Sequence, residues 1–287
     1  MTSTEVVADH RAAGRAFTAA GMTGFAREAG DGETVLCMHG VPTSSFLYRK
    51  VLDELAARDL RGVAFDLPGL GLADRPENFD YTWTGLGQYS VAAIDALELQ
   101  SFHLVVHDVG GPVGFELAAA VPDRVKSLTV LNTIVDVDTF KRPWSMEPFA
   151  RRGVGEVYLR ALSKPAFRML MGLQGVADRS AVPNAELHAH VDLLKARGRW
   201  SSVSEDHARL RAHGRQARPL PLRARRRPLP GAGRLGREGP GAESRHPRRG
   251  SPARRGVATI PRLPGKHFLQ EDQAPAIADL VAGFTRD

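Results

Sequence analysis

FHLVVHDVGGPVG, residues Phe102 to Gly114, is the stretch whose reading decides the fold. Leu104-Val105-Val106 is a short apolar run closed on its far side by glycines, which reads as a buried strand. Phe115 to Val121 then carries the apolar spacing of a helix packed on a sheet. Between them, His107-Asp108-Val109-Gly110-Gly111 forms a strand-to-helix turn with one reactive side chain at its apex. A tight elbow needs small residues beside the apex, because the backbone is cramped and the helix passes close to the strand. Gly110 and Gly111 supply them. The apex is Asp108, where the G-x-S-x-G form of such a turn carries serine. Taken alone, the stretch also reads as a strand, a glycine turn and an Asp capping the next helix. The rest of the chain moves the balance toward chemistry.

Working outward, Thr34 to Met38 is an apolar run ending in His39-Gly40-Val41-Pro42, a central parallel strand followed by a loop. Phe46 to Ala57 has helical apolar spacing behind Thr43-Ser44-Ser45, which supply caps. Gly62 to Phe65 is the next strand and Asp66 to Asp74 the loop after it; Trp83 to Leu97 is a helix; Leu128 to Asn132 is a further strand. Arg15 to Ala19 is an edge-strand candidate in an otherwise polar first 32 residues. This alternation predicts an α/β fold with a mostly parallel, doubly wound sheet, whose reactive groups collect at the carboxyl ends of the strands. His39, Asp66 and Asp108 all fall there. From Ile134 to Lys195 the pattern is helical only (146–161, 164–172, 185–195), as in a cap over the site lined by Phe140, Trp144, Phe149, Phe167, Met169 and Met171. Gly265 to Asp272 then leads into an amphipathic last helix, Ala274 to Phe284.

With 43% hydrophobic and 25% charged residues, the 287-residue chain has ordinary globular usage. Cys37 is the single cysteine, which excludes an internal disulfide framework and fits a reducing compartment. No secretory leader and no bilayer-spanning run is read, so the expected location is the cytoplasm, with no membrane partner. The net charge of +7 suggests nucleic-acid binding until it is located. Ala196 to Gly256 holds about 17 arginines, no lysine and about four acids, close to +13, leaving about −6 for the remainder. Nucleic acid is therefore not expected as a partner. The ten histidines are scattered, with no H-E-x-x-H, so neither metal nor cofactor is expected.

Four fragments together resemble the α/β-hydrolase superfamily, and more narrowly its aspartate-nucleophile branch, the haloalkane dehalogenases and epoxide hydrolases. They are His39 to Pro42 with Thr43 to Arg49, Asp66 to Asp74, His107 to Gly111, and His267-Phe268-Leu269-Gln270-Glu271-Asp272. The resemblance covers roughly residues 15–195 and 256–287. It implies that Asp108 attacks an sp³ carbon to form an alkyl ester, and that His267 is the general base for the water that hydrolyses it. Backbone N–H groups of Val41 and Val109 would form the oxyanion hole. Haloalkane dehalogenases typically hold the halide with a tryptophan after the nucleophile, where this chain has Val109; Trp144 is a candidate substitute. Epoxide hydrolases use two cap tyrosines, and this cap offers Tyr158 alone. Trp144, Phe149 and Tyr158 are the expected pocket residues. PTSSFLYR and HFLQED lean toward a haloalkane dehalogenase acting on a small apolar substrate with water. An epoxide hydrolase is the alternative, and a non-catalytic protein binding through the arginine tract a second. Oligomeric state is not legible.

The triad acid is not evident. The family places it after the strand ending near Asn132 or after the next strand; Asn132 is not an acid, and Asp136 and Asp138 come a few residues late. Where that next strand should fall, the chain reads RARRRPLPGAGRLGREGPGAESRHPRRG, with nothing that alternates. Composition reads 196–256 as disordered or poorly packed, with one late core strand missing or disordered. As a hypothesis, this tract is a frame-shifted stretch of a GC-rich gene: shifted one base, codons allowed for Pro230 to Ala242 can spell a strand ending G-A-W-D. The gene's nucleotide sequence tests this. A chain made as written is expected to fold poorly and to be weakly active or inactive. The expected organisation is hydrolase core over 1–133, cap over 134–195, irregular tract over 196–256, and core with His267 over 257–287.

Overall fold

A computed structural model describes residues 1–135, 161–196, 233–235 and 261–285. Helix α1 (Ser3–Ala12) opens the chain and is followed by strands β1 (Gly14–Ala19), β2 (Met22–Ala29) and β3 (Glu33–Met38). A 3₁₀ turn over Ser45–Tyr48 runs into α2 (Arg49–Ala56), then come β4 (Leu60–Phe65), α3 (Trp83–Ala96), β5 (Phe102–Asp108), α4 (Gly110–Ala120) and β6 (Val125–Thr133). Beyond residue 160 lie α5 (Lys164–Leu170), a π turn over Met171–Gly175, α6 (Asn184–Leu194), β7 (Gly233–Leu235) and α7 (Ala274–Thr285).

The strands form one sheet in the order β1-β2-β4-β3-β5-β6-β7. β1, β2 and β4 pair antiparallel, while β4, β3, β5, β6 and β7 pair parallel, which is the doubly wound arrangement expected. Its two middle strands are the apolar runs of the sequence. Val35, Leu36, Leu104, Val105 and Val106 are fully buried because helices cover both faces of a parallel sheet.

Three features depart from the sequence reading. The first 32 residues, read as polar with an edge-strand candidate, carry a helix and two strands. α1 starts on a reciprocal cap in which the Glu5 N–H donates to Thr2 Oγ1 (3.3 Å) and the Thr2 N–H donates to Glu5 Oε2 (2.6 Å). The stretch after Thr43 begins as a 3₁₀ turn capped by Ser44 before it becomes α-helical. At the far edge, the strand expected to be missing is present over three residues, with Thr129, Val130 and Leu131 aligned to Gly233, Arg234 and Leu235. Parallel pairing uses main-chain groups, so it needs no alternating side-chain pattern. The rest of 197–260 lies outside the described residues.

The elbow is built as read. Asp108 ends β5 with φ +52°, a left-handed conformation that an L-residue adopts at a cost. Gly110 begins α4, and a Cβ on it would lie 2.5 Å from the His39 carbonyl oxygen and 2.6 Å from that of Met38. Both are backbone atoms of the neighbouring strand and loop, which cannot rotate aside. Gly110→Ala is therefore expected to destabilise the protein by about 2 kcal/mol or more, the range of overpacking a close-packed interior, read as a lowered urea midpoint with unchanged slope.

Candidate active site

The site forms where β3, β5 and β6 end together. Asp108 stands above the sheet because the elbow turns its side chain off the strand line; the β5–β6 register slips between His107 and Asp108. Val41, in the loop after β3, donates its N–H to Asp108 Oδ1 at 2.9 Å. The Val109 N–H also bears on this carboxylate. Gly40 lies so near that a Cβ there would meet Asp108 Oδ1 at 2.2 Å, so the close approach of this loop depends on glycine. From the opposite side of the sheet's sequence, His267 brings Nε2 to 3.3 Å from Asp108 Oδ2. The His267 side chain is 31% exposed against 11% for Asp108, so solvent reaches the imidazole more readily than the carboxylate.

Burial alone would raise the Asp108 carboxyl. The His267 hydrogen bond and charge and the Val109 N–H outweigh it and hold the group well below the usual carboxylate range. Asp108 is thus an anion at neutral pH, with Oδ1 on main-chain amide and Oδ2 turned to the imidazole. His107 goes the other way. Burial, then the neighbouring His267 charge, press its imidazole down to about 3, so it stays neutral. His39 is likewise lowered by burial, against the pull of Asp66, the Gly40 carbonyl and Asp108. Its Nε2 accepts from the Leu67 N–H (3.0 Å), which leaves the proton on Nδ1 to donate to the Gly40 carbonyl (3.0 Å). A neutral, tautomerically fixed histidine therefore shapes the loop that presents Val41.

Asp66, at the end of β4, also stands at a carboxyl end, but its oxygens are consumed. Oδ1 accepts from the Ser45 N–H and Oδ2 from the Leu72 N–H, both at 2.7 Å, and it is fully buried. Asp66 therefore pins two loops.

Asp108, His267, Val41 and Val109 are thus brought together as the sequence reading placed them. Phe140, Trp144, Phe149, Tyr158, Asp136 and Asp138 lie outside the described residues. Among the described residues, Asp108 is the one carboxylate within ion-pair distance of His267. Of the apolar cap residues named from the sequence, Phe167 and Met171 are fully buried, Phe167 with its ring 5.8 Å from that of His190, and Met169 is 66% exposed. On a short helix, positions two apart face different ways, so Met169 points out where Phe167 points in. Among the described residues no trio of His, Cys, Asp and Glu is placed to hold a metal ion, and no helix is long and apolar enough to cross a membrane.

What fastens His267 is not evident from the sequence. Glu271, four residues after His267 and fully buried, receives a two-pronged bond from Arg49: Nη1 to Oε1 and Nη2 to Oε2, each 2.7 Å. His190 of α6 donates Nε2–H to the same Oε1 at 2.8 Å, and Glu186 of α6 closes the other side of Arg49 and Lys50. Main-chain bonds add to this: the His267 N–H donates to Gln174 O (3.2 Å) and the Phe268 N–H to Gly175 O (2.7 Å). The signal was in the sequence, since Arg49 closes PTSSFLYR and Glu271 sits in HFLQED. The reading gave neither a partner.

The fold and this site define an α/β hydrolase. Residues 33–218 match the family described as "alpha/beta hydrolase fold", and the chain belongs to that family. An uncharacterized hydrolase of Saccharomyces cerevisiae is 36% identical over 108 residues, 37% of each chain. A haloalkane dehalogenase of Psychrobacter cryohalolentis is 37% identical over 106 residues, 37% of this chain and 35% of that one. The chain thus spans little more than a third of the length of these curated relatives. Among solved structures, the epoxide hydrolase CorEH superposes with TM-score 0.73 at 16% identity, covering 95% of this chain and 98% of that one. Epoxide hydrolase VrEH1 of Vigna radiata gives 0.59 at 22%, covering 71% and 73%. At these identities the structural likeness establishes the fold.

Burial raises the Glu271 carboxyl, but Arg49 and the His190 hydrogen bond outweigh this and depress it below the ordinary range. A depressed carboxyl adds stability that is complete above the unfolded value of about 4.3 and lost as pH falls below it. The urea midpoint is thus expected to fall from pH 6 to pH 4. Glu271→Gln, which strands Arg49 without its counter-charge, should cost about 3–5 kcal/mol at neutral pH and flatten that acid dependence.

Proposed function

We propose that this chain is a hydrolase working through Asp108 and an alkyl-ester intermediate, with haloalkanes as the preferred substrate class. The observation that carries the reading is the Asp108 carboxylate held at φ +52° between the Val41 amide and His267 Nε2. Asp108 Oδ2 attacks the carbon in line; the carbon–oxygen bond forms as the carbon–halogen bond breaks, and halide leaves with the electron pair. Oδ1, on the Val41 amide, becomes the carbonyl oxygen of the ester. Water then gives a proton to His267 Nε2 and attacks Cγ. The negative charge that develops falls on the oxygen that the Val41 amide already faces, with the Val109 amide beside the same carboxyl. Collapse breaks the Cγ–Oδ2 bond and releases the alcohol, which regains the proton.

PTSSFLYR, HFLQED and the partial identity to a haloalkane dehalogenase support halide as leaving group. Val109 where a halide-binding tryptophan is usual leaves room for the epoxide reading, in which the same carboxylate opens a strained ring. Alkylation of Asp108 needs neither the base nor its orienting acid, so it is the step to measure. Incubation with bromo- and chloroalkanes, followed by intact-mass analysis, should show His267→Gln holding one alkyl group per chain with one equivalent of halide released. Asp108→Ala should lower halide release by at least about 10³-fold. Adducts and diols from epoxides alone would move the assignment to epoxide hydrolysis. No adduct with either panel would overturn the reading.

A further inference from the structure

The peptide carbonyl of His267 receives two side-chain donors from strand ends beside Asp108, those of His107 and Asn132. His107, the residue before the nucleophile, places Nε2 at 2.8 Å from it. A carbonyl accepts only, so Nε2 carries the proton. The cost is visible on the other ring nitrogen, Nδ1, which is buried without a hydrogen-bond partner. Asn132, next to the last residue of β6, gives its Nδ2 to the same carbonyl at 3.2 Å and to the Lys266 carbonyl at 2.8 Å. It does so from a left-handed backbone, φ +35°, which Asn tolerates better than most residues. The His107 ring also lies against that of His267, centroids 4.8 Å apart. With the His267 N–H bound to Gln174 O, both ends of this peptide are tied: one to the helical segment, the other to the strand ends that carry Asp108.

The geometry points to Asn132 and His107 as positioning residues that set the height and tilt of the His267 imidazole over Asp108. Neither touches a reacting atom. This rests on the two-step reading above and assigns the pair to the second step, in which His267 must sit within reach of the attacking water. Displacing a catalytic group by about 1 Å can cost about 10²-fold, so loosening the clamp should slow ester hydrolysis and spare alkylation, which depends on Asp108 and its amides.

The test follows both half-reactions on the full chain by rapid quench and intact mass, using whichever bromoalkane alkylates Asp108 in His267→Gln. Asn132→Ala removes a half-buried donor without opening the core. It should alkylate within about threefold of wild type while hydrolysing the ester about 10–100-fold more slowly, so that the adduct accumulates. His107→Leu should do the same, and His107→Gln, which restores an N–H near the Nε2 position, should recover hydrolysis. A plain loss of packing would slow both steps together and would not be rescued by Gln. Equal slowing of both steps in Asn132→Ala, or no slowing of hydrolysis, overturns the assignment while the adduct on His267→Gln keeps the two-step reading. Failure of His267→Gln to form any adduct would overturn both. If His107→Leu does not fold, Asn132→Ala decides alone.

Discussion

The Arg49–Glu271 pair joins residues 222 positions apart inside the protein, and the placement of the segment that carries His267 depends on it. A guanidinium and a carboxylate removed from water are costly unless each is fully satisfied. Here both prongs of Arg49 are used, and Glu271 also accepts from His190. The pair therefore has essentially one arrangement, with the last segment of the chain against α2 and α6. A more hydrophobic contact at this place would bury the same surface but would allow sliding, and sliding would shift His267 relative to Asp108.

Three carboxylates show how environment divides labour among like groups. Asp66 is bound by main-chain amides and holds two loops. Glu271 is bound by cations and holds two distant segments. Asp108 has one oxygen on main-chain amide and the other turned to an imidazole, so it alone retains an oxygen that can form a new bond. The left-handed backbone at Asp108 makes the difference, because it lifts the side chain off the sheet while its own carbonyl is taken by the Thr133 hydroxyl.

Much of this was legible in the chain. The apolar runs of β3 and β5 and the glycines after Asp108 announce a buried parallel sheet and a sharp turn, since local sterics and burial leave few other uses for them. Residues that act across long sequence distances were harder. Arg49 and Glu271 were quoted within motifs, but nothing in either fragment says that one meets the other. Asn132 was judged only as a failed acid, although its amide can donate where a carboxylate cannot. α1 went unread despite Thr2-Ser3-Thr4-Glu5, a capping-box spacing, because a polar opening without apolar periodicity suggests no packed partner. The short β7 was illegible for a simpler reason: its pairing is main-chain, and its side chains carry no strand pattern.

The tether from Gln174 and Gly175 to His267 and Phe268 is also main-chain to main-chain. Such a joint is indifferent to which side chains its members carry. The neighbouring surface of the helical segment can thus drift in shape and polarity over evolutionary time without unfastening the histidine, so diversification of what is admitted need not come at the expense of how it is processed.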